Sequence, residues 1–504
     1  MQNSRLRIFI TLLTLVFVQQ LAVVQPLAQS TSEAQFNRAA WLADYSALKS
    51  QLERSYSHLA WFGSPQSGVD LPAVDRTTNE ALEHSHSDAE ASAAIARFVA
   101  SFHDGHFAQT TIQRPAPNSA PEPPTPTTFP DARTACAALG YIPITRVAFS
   151  LPFESLADFE LLSDGLADPF RAGVIKQNGR NIGIVRIPRF RIAEFPAVCE
   201  RVWTSLRGRG IEPTRGAMQE IIDAEWLRML ATRLTQLQSR NISALLIDLG
   251  GNGGGNDLGE WAVRLFARAP IHSAPLLLSA SPVAIPYFDE QLGDLERALK
   301  ANTNLTEATR TALERAITEF NQRKQEASRA PCDMSWVWRE QRKWGASSCT
   351  RLIPSGFASG AVDYAEPGSI DPRAARALYW PAIADSMRGA WNGPTYVLTD
   401  ANTGSAAEMF TALIRDRGIA KTIGTRTFGL GCGFMDYDAP FVLPNSKRAF
   451  RIPNCVRLRS DGTDEVAGIA PDLPLTPTPG ESNRRLAARA LRMLASDLSP
   501  SNPH

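Results

Sequence analysis

The stretch "ALLIDLGGNGGGNDLGEW", residues 244–261, constrains the fold more than any other part of the chain. Its first four residues are continuously apolar, as in a strand buried on both faces. A glycine-rich turn then feeds a helix from about Asp257. Residues 394–418, "PTYVLTDANTGSAAEMFTALIRDRG", repeat this order, and "AKTIGTRTF" supplies a further strand. Two strand-to-helix units predict a parallel or mixed sheet carrying helices, an α/β (α+β) arrangement.

The remaining segments arrange themselves around that frame. "MQNSRLR" carries two arginines and no acid, and an apolar run of 11 residues, "IFITLLTLVFV", follows it. Small Ala28 then offers a cleavage point, so residues 1–28 read as a signal peptide. An uncleaved anchor is the other reading, but the run falls short of the roughly 20 residues a span needs. Residues 29–112 read as an N-terminal helical domain, with Ser87 or Asp88 capping its last helix. Residues 113–132 form a proline-rich linker. The core follows in two parts, 133–285 and 351–480, with "IPITRVAFSL" and "IGIVRIPRF" as strands of the first. Between the parts, residues 286–350 hold a helical insertion, in which Thr306 and the glutamates suggest a helical hairpin. A β-hairpin turns near Pro444, Asn445 and Ser446, and residues 481–504 are a C-terminal helix and tail.

Charge excludes some partners. With 52 basic and 51 acidic residues, the net charge of +1 gives no attraction to nucleic acid or an anionic membrane. Export to a periplasmic or external location makes disulfides available to the six cysteines, which allow fifteen complete pairings. Local separation favours Cys332 with Cys349 and Cys432 with Cys455. No cysteine or histidine cluster has zinc spacing, so neither metal nor cofactor is expected.

Three places can carry chemistry. The glycines of 250–255 permit positive φ and close backbone approach. Their N–H groups suit a phosphate cradle, an oxyanion hole or a plain flexible turn. The G-K-[ST] of a nucleotide loop is absent. Ser405, in "NTGSAAE", stands at a helix mouth among small residues. It reads either as a nucleophile favoured by the helix N-terminus or as a helix cap, since Ser405 and Glu408 fit a capping box. His106, in "SFHDGHF", sits on a turn after a helix and can serve as a base for a serine.

Taken in order, "HDGH", "LLIDLGGNGGG", "NTGSAAE", "TIGTRTFG" and "DEVAGIAPD" resemble the S41 serine peptidases, a family that includes the C-terminal processing peptidases and the tricorn core protease. The resemblance implies a ClpP/crotonase-like core with a mixed sheet. It implies Ser405 as nucleophile, and the backbone N–H groups of Ala406 and Gly254 as oxyanion donors, with Gly255 left open as the alternative to Gly254. The lysine base of the processing peptidases lies in F-G-K-G, where this chain has Leu430, which cannot accept a proton. The histidine-using branch instead implies His106 as base and Glu465 as the group that orients it. Two departures stand out: Gly105 replaces a serine found before the histidine, and Gly250 replaces an arginine. No PDZ domain is evident between residues 110 and 185. The expected activity is that of an exported serine endopeptidase or oligopeptidase acting on peptide or protein substrates. No stable membrane span should remain after signal cleavage, and homo-oligomerisation is left open. The rival is a non-catalytic binding module, retinoid- or peptide-binding-like, on the same fold.

Overall fold

Seven strands make the central sheet, in the spatial order Leu473–Pro474, Lys421–Gly424, Thr395–Thr399, Ala244–Asp248, Arg180–Arg186, Ala172–Gln177 and Phe159–Ser163. The first five run parallel, and the last two join antiparallel, so the sheet is mixed. The computed structural model describes residues 36–498 apart from 112–128, 193–194, 302–303, 330–331, 346–348 and 436–438. The expected signal peptide and most of the proline-rich linker lie outside the described residues.

Alternation along one strand shows how the sheet is covered. Leu245 and Ile247 face a core built with the helices Pro196–Gly208, Arg215–Gln238 and Ala406–Asp416. Ala244 and Leu246 face the opposite core, closed by the C-terminal helix Asn483–Asp497. Every residue of Ala244–Asp248 is buried, as its unbroken apolar run requires. The strands Ala244–Asp248 and Thr395–Thr399 are parallel neighbours. Both strand-to-helix turns therefore emerge side by side at the carboxyl edge of the sheet, where open α/β sheets place their sites.

Two further cores flank the sheet. The N-terminal helices Arg38–Ser55, Leu71–Glu83 and Asp88–Ala100 bury Trp41, Leu48 and Phe98 together with Trp336 and Trp338 from the inserted region. Ser87 caps the last of these helices, its side chain accepting from Glu90 N–H. The inserted hairpin consists of the helices Ile285–Ala301 and Glu307–Ala327, the second capped by Thr306. Phe288 and Phe320 of this hairpin pack on Leu278 of the strand Pro275–Ser279. Strand Ala108–Thr110, just after His106, pairs with Ala449–Arg451 of the C-terminal β-hairpin. The end of the N-terminal helical region and the C-terminal β-hairpin are thus joined by backbone hydrogen bonds.

One expected strand is absent. Residues 142–151 run without a ladder, and at their end Ser150 N–H donates to the side chain of Asp248 at 2.7 Å rather than to a neighbouring strand. The strands Phe159–Ser163 and Ala172–Gln177 complete the sheet in its place. Disulfides join Cys332 to Cys349 and Cys432 to Cys455, the pairs favoured by separation, and a third joins Cys136 to Cys199. Replacing both Cys432 and Cys455 by serine should lower stability by about 3 kcal/mol, the loop-closure value for a separation of 23 residues. Urea unfolding checks this, and an unchanged midpoint would deny the crosslink any part in stability.

Candidate active site

Ser405 is the last residue before the helix Ala406–Asp416, with φ +53° and ψ −122°. A helix cap normally takes extended backbone, whereas a positive φ on a serine is a strained turn that thrusts the side chain outward. The strain is held by Glu408. Its Oε2 accepts from Ser405 N–H at 3.0 Å and Leu430 N–H at 2.8 Å. Its Oε1 accepts from Thr427 Oγ1 at 2.6 Å and Gly429 N–H at 2.7 Å. Glu408 is fully buried, and burial pushes its carboxyl up from its ordinary value against those four donors.

The glycine turn abuts this elbow. A Cβ on Gly254 would lie 2.7 Å from Ser405 Cβ and 2.9 Å from Ala406 N, so only glycine fits there. Gly254 N–H, however, donates to Asn252 Oδ1 at 2.9 Å. That bond engages the N–H which the resemblance implies as an oxyanion donor. Phe190 bonds Gly254 O and Asn256 N–H, which turns the N–H of Gly255 away from Phe190. Among the described residues neither Gly255 N–H nor Ala406 N–H has an acceptor. Gly250 also has a reason: a Cβ there would lie 2.5 Å from Ser150 Oγ, which leaves no room for an arginine.

His106 is held from several sides. Its backbone N–H donates to Asp104 Oδ1 at 2.8 Å, which fixes the turn. Its Nδ1 donates to Leu430 O at 2.9 Å. That bond places the ring proton on Nδ1 and leaves Nε2 as the acceptor, the form a general base needs. Gly433 lies against the ring face, where a Cβ would come within 2.9 Å, and Phe434 meets it edge-on at 5.8 Å. Burial lowers the imidazole pKa below its ordinary value, and Asp104 and Leu430 O only partly offset this.

Leu430 joins the two halves. One of its methyls would be 2.3 Å from a Cβ on Gly105, and the other 2.5 Å from a Cβ on Gly404. The residues before His106 and before Ser405 are both glycine because one leucine side chain fills the space beside them. Where the resemblance places a lysine base, this chain has an apolar wedge and a carbonyl that orients a histidine. Among the described residues no hydrogen bond links Ser405 Oγ to His106, a separation common before substrate binds.

Among the described residues no hydrogen bond joins Glu465 to the His106 ring. Its Oε2 accepts from Arg457 Nε at 2.9 Å, and it lines a cavity of about 60 Å³ with Glu260, Met409 and Asp416. Burial raises its carboxyl pKa, with Arg457 opposing. The bond expected from Glu465 to His106 is made by Leu430 O instead. Three contributors escaped the sequence reading: the Glu408 clamp, the Leu430 carbonyl and a buried His58. Glu408 was visible as half of a capping box, while nothing in the sequence marks the other two. Among the described residues no group of three or more His, Cys, Asp or Glu is placed to hold a metal ion.

Residues 303–475 match the profile described as Peptidase family S41. The matched segment contains Ser405, Ala406, Leu430 and Glu465, and leaves His106 and the glycine turn outside. Comparison with curated proteins returns no significant match. Among solved structures, mature CPAF is 15% identical, covering 92% of this chain and 98% of its own, with a TM-score of 0.51. Mature CPAF complexed with lactacystin is also 15% identical and covers 92% and 99%, with a TM-score of 0.54. The CPAF S499A mutant gives 15%, 93%, 99% and 0.54. At this identity the likeness establishes a shared fold across nearly the whole chain.

The clamp yields a measurable expectation. Glu408→Gln keeps the shape but sets an amide N–H₂ against buried donors. It should cost about 1–3 kcal/mol for each donor left unpaired, read by thermal or urea unfolding. A variant as stable as the parent would show that Glu408 does not hold the elbow.

Proposed function

We propose, from the premise that this chain carries a peptidase family S41 segment at residues 303–475, that it is an exported serine endopeptidase or oligopeptidase working through Ser405 and His106. The observation that carries this reading is the joint arrangement at Leu430. The strained serine elbow and the histidine turn pack on one side chain, and the histidine is oriented by that residue's carbonyl. Three disulfides support an oxidising compartment. Among the described residues no helix is long and apolar enough to cross a membrane.

Ser405 Oγ attacks the scissile carbonyl carbon while His106 Nε2 takes the hydroxyl proton. The carbonyl π pair moves onto oxygen, giving a tetrahedral oxyanion. Ala406 N–H at the helix start and Gly255 N–H from the glycine turn are the donors for it. His106 then protonates the leaving amine as the C–N bond breaks. A water attacks the resulting ester, again with His106 as base, and Ser405 leaves with its proton restored. In this scheme the third member of the usual triad is replaced by the Leu430 carbonyl, and Glu465 acts at one remove through Arg457.

A fluorophosphonate probe should label Ser405, and Ser405→Ala should abolish the labelling. Labelling that survives the substitution would sink the assignment. The base must be neutral, and burial holds the His106 pKa below its ordinary 6.5. The acid limb of kcat/KM should therefore fall below pH 6.5, with activity retained down to that point. An acid limb above pH 6.5 would contradict His106 as the base in this environment.

A further inference from the structure

The strip 429–432 is held by its polar backbone groups one after another. Glu408 takes the N–H groups of Gly429 and Leu430. Three successive carbonyls then each receive a donor from a different part of the chain. Leu430 O accepts from His106 Nδ1, Gly431 O from Arg457 Nη2 at 3.2 Å, and Cys432 O from His58 Nε2 at 3.0 Å. Two of these donors are fully or nearly buried and belong to ion pairs. His58 Nδ1 donates to Asp464 Oδ2 at 2.7 Å, with both side chains fully buried. Arg457 is paired with Glu465, at 9% and 2% side-chain exposure. Buried pairs of this kind contribute little net stability compared with apolar replacements, and here each places its cation on a carbonyl of the strip.

We propose that His58, paired with Asp464, and Arg457, paired with Glu465, are positioning residues that fix the 430–432 carbonyls and thereby set the orientation and basicity of His106. This rests on the reading of His106 as the base. His58 bonds through both ring nitrogens to acceptors, a carboxylate and a carbonyl, which requires the imidazolium. Burial alone would lower its pKa, but Asp464, with smaller help from Asp104 and Cys432 O, lifts it to about 9. The titratable groups facing His58 are Asp464, Asp104 and His106, with the Tyr56 ring edge-on at 5.7 Å. His58 and Arg457, as cations, in turn depress the pKa of His106. The His58 pKa is above its ordinary 6.5, so the stabilisation of the strip is complete below that pH and is lost as pH rises through about 9.

Two measurements on the full chain test this. The first is histidine side-chain NMR of the Ser405→Ala protein across pH 5 to 10, which needs no activity. His106 should show the Nδ1-protonated neutral form above its own titration, then a second step at about pH 9 as His58 loses its proton. A His106 signal that stays flat through that range overturns the proposal. The second is His58→Gln with a peptide substrate. Loss of ring placement should lower kcat by on the order of ten- to a hundredfold with KM retained. Loss of the neighbouring cation should move the acid limb to higher pH. A folded variant with parental kcat and acid limb overturns it as well. Failure of the parent to label at Ser405 would instead strike the proposed activity, while a pH 9 step in the NMR would leave the positioning intact.

Discussion

One buried carboxylate organises the candidate site. Glu408 gathers four donors, from Ser405, Thr427, Gly429 and Leu430, so the helix start and the strip beside it cannot move independently. Ionised carboxylates have about four lone-pair directions, and here each donor has one. The serine elbow keeps a strained backbone because that clamp over-determines it. The strip, fixed at its N–H groups by Glu408, presents its carbonyls to donors arriving from the N-terminal helical domain and from Cys455–Arg457.

Much of the frame was legible from residue patterning. The unbroken apolar run at 244–247 fixed a doubly covered strand, and the paired strand-to-helix units implied a mixed sheet. The helical hairpin in the insertion followed from Thr306 and the run of glutamates, and Thr306 caps its second helix. Residues 142–151 misled because a β-rich composition says nothing about whether a neighbour is available, and Asp248 captured Ser150 instead.

The site itself was only half legible. Ser405, His106 and the glycine turn were singled out by side-chain type or the lack of one, which a pattern can mark. Leu430 works through its carbonyl, which every residue has, so its orienting role leaves no trace in residue type. His58 is separated from Asp464 by 406 residues, and no local pattern links them. Glu465 shows the converse limit. The residue type was right for pairing with a cation, but Arg457 reached it before the histidine could.

The disposition of these groups along the chain has a consequence for timing. The proposed base comes from residue 106 and the proposed nucleophile from 405, while the pair that secures His58 is completed only at Asp464. A chain emerging from its N-terminus holds a histidine turn with nothing to orient it, then an elbow whose neighbouring strip is still missing. Cys432 finds its partner only when Cys455 has appeared. On the proposed roles, the growing polypeptide therefore carries its reactive side chains well before the contacts that orient them can form.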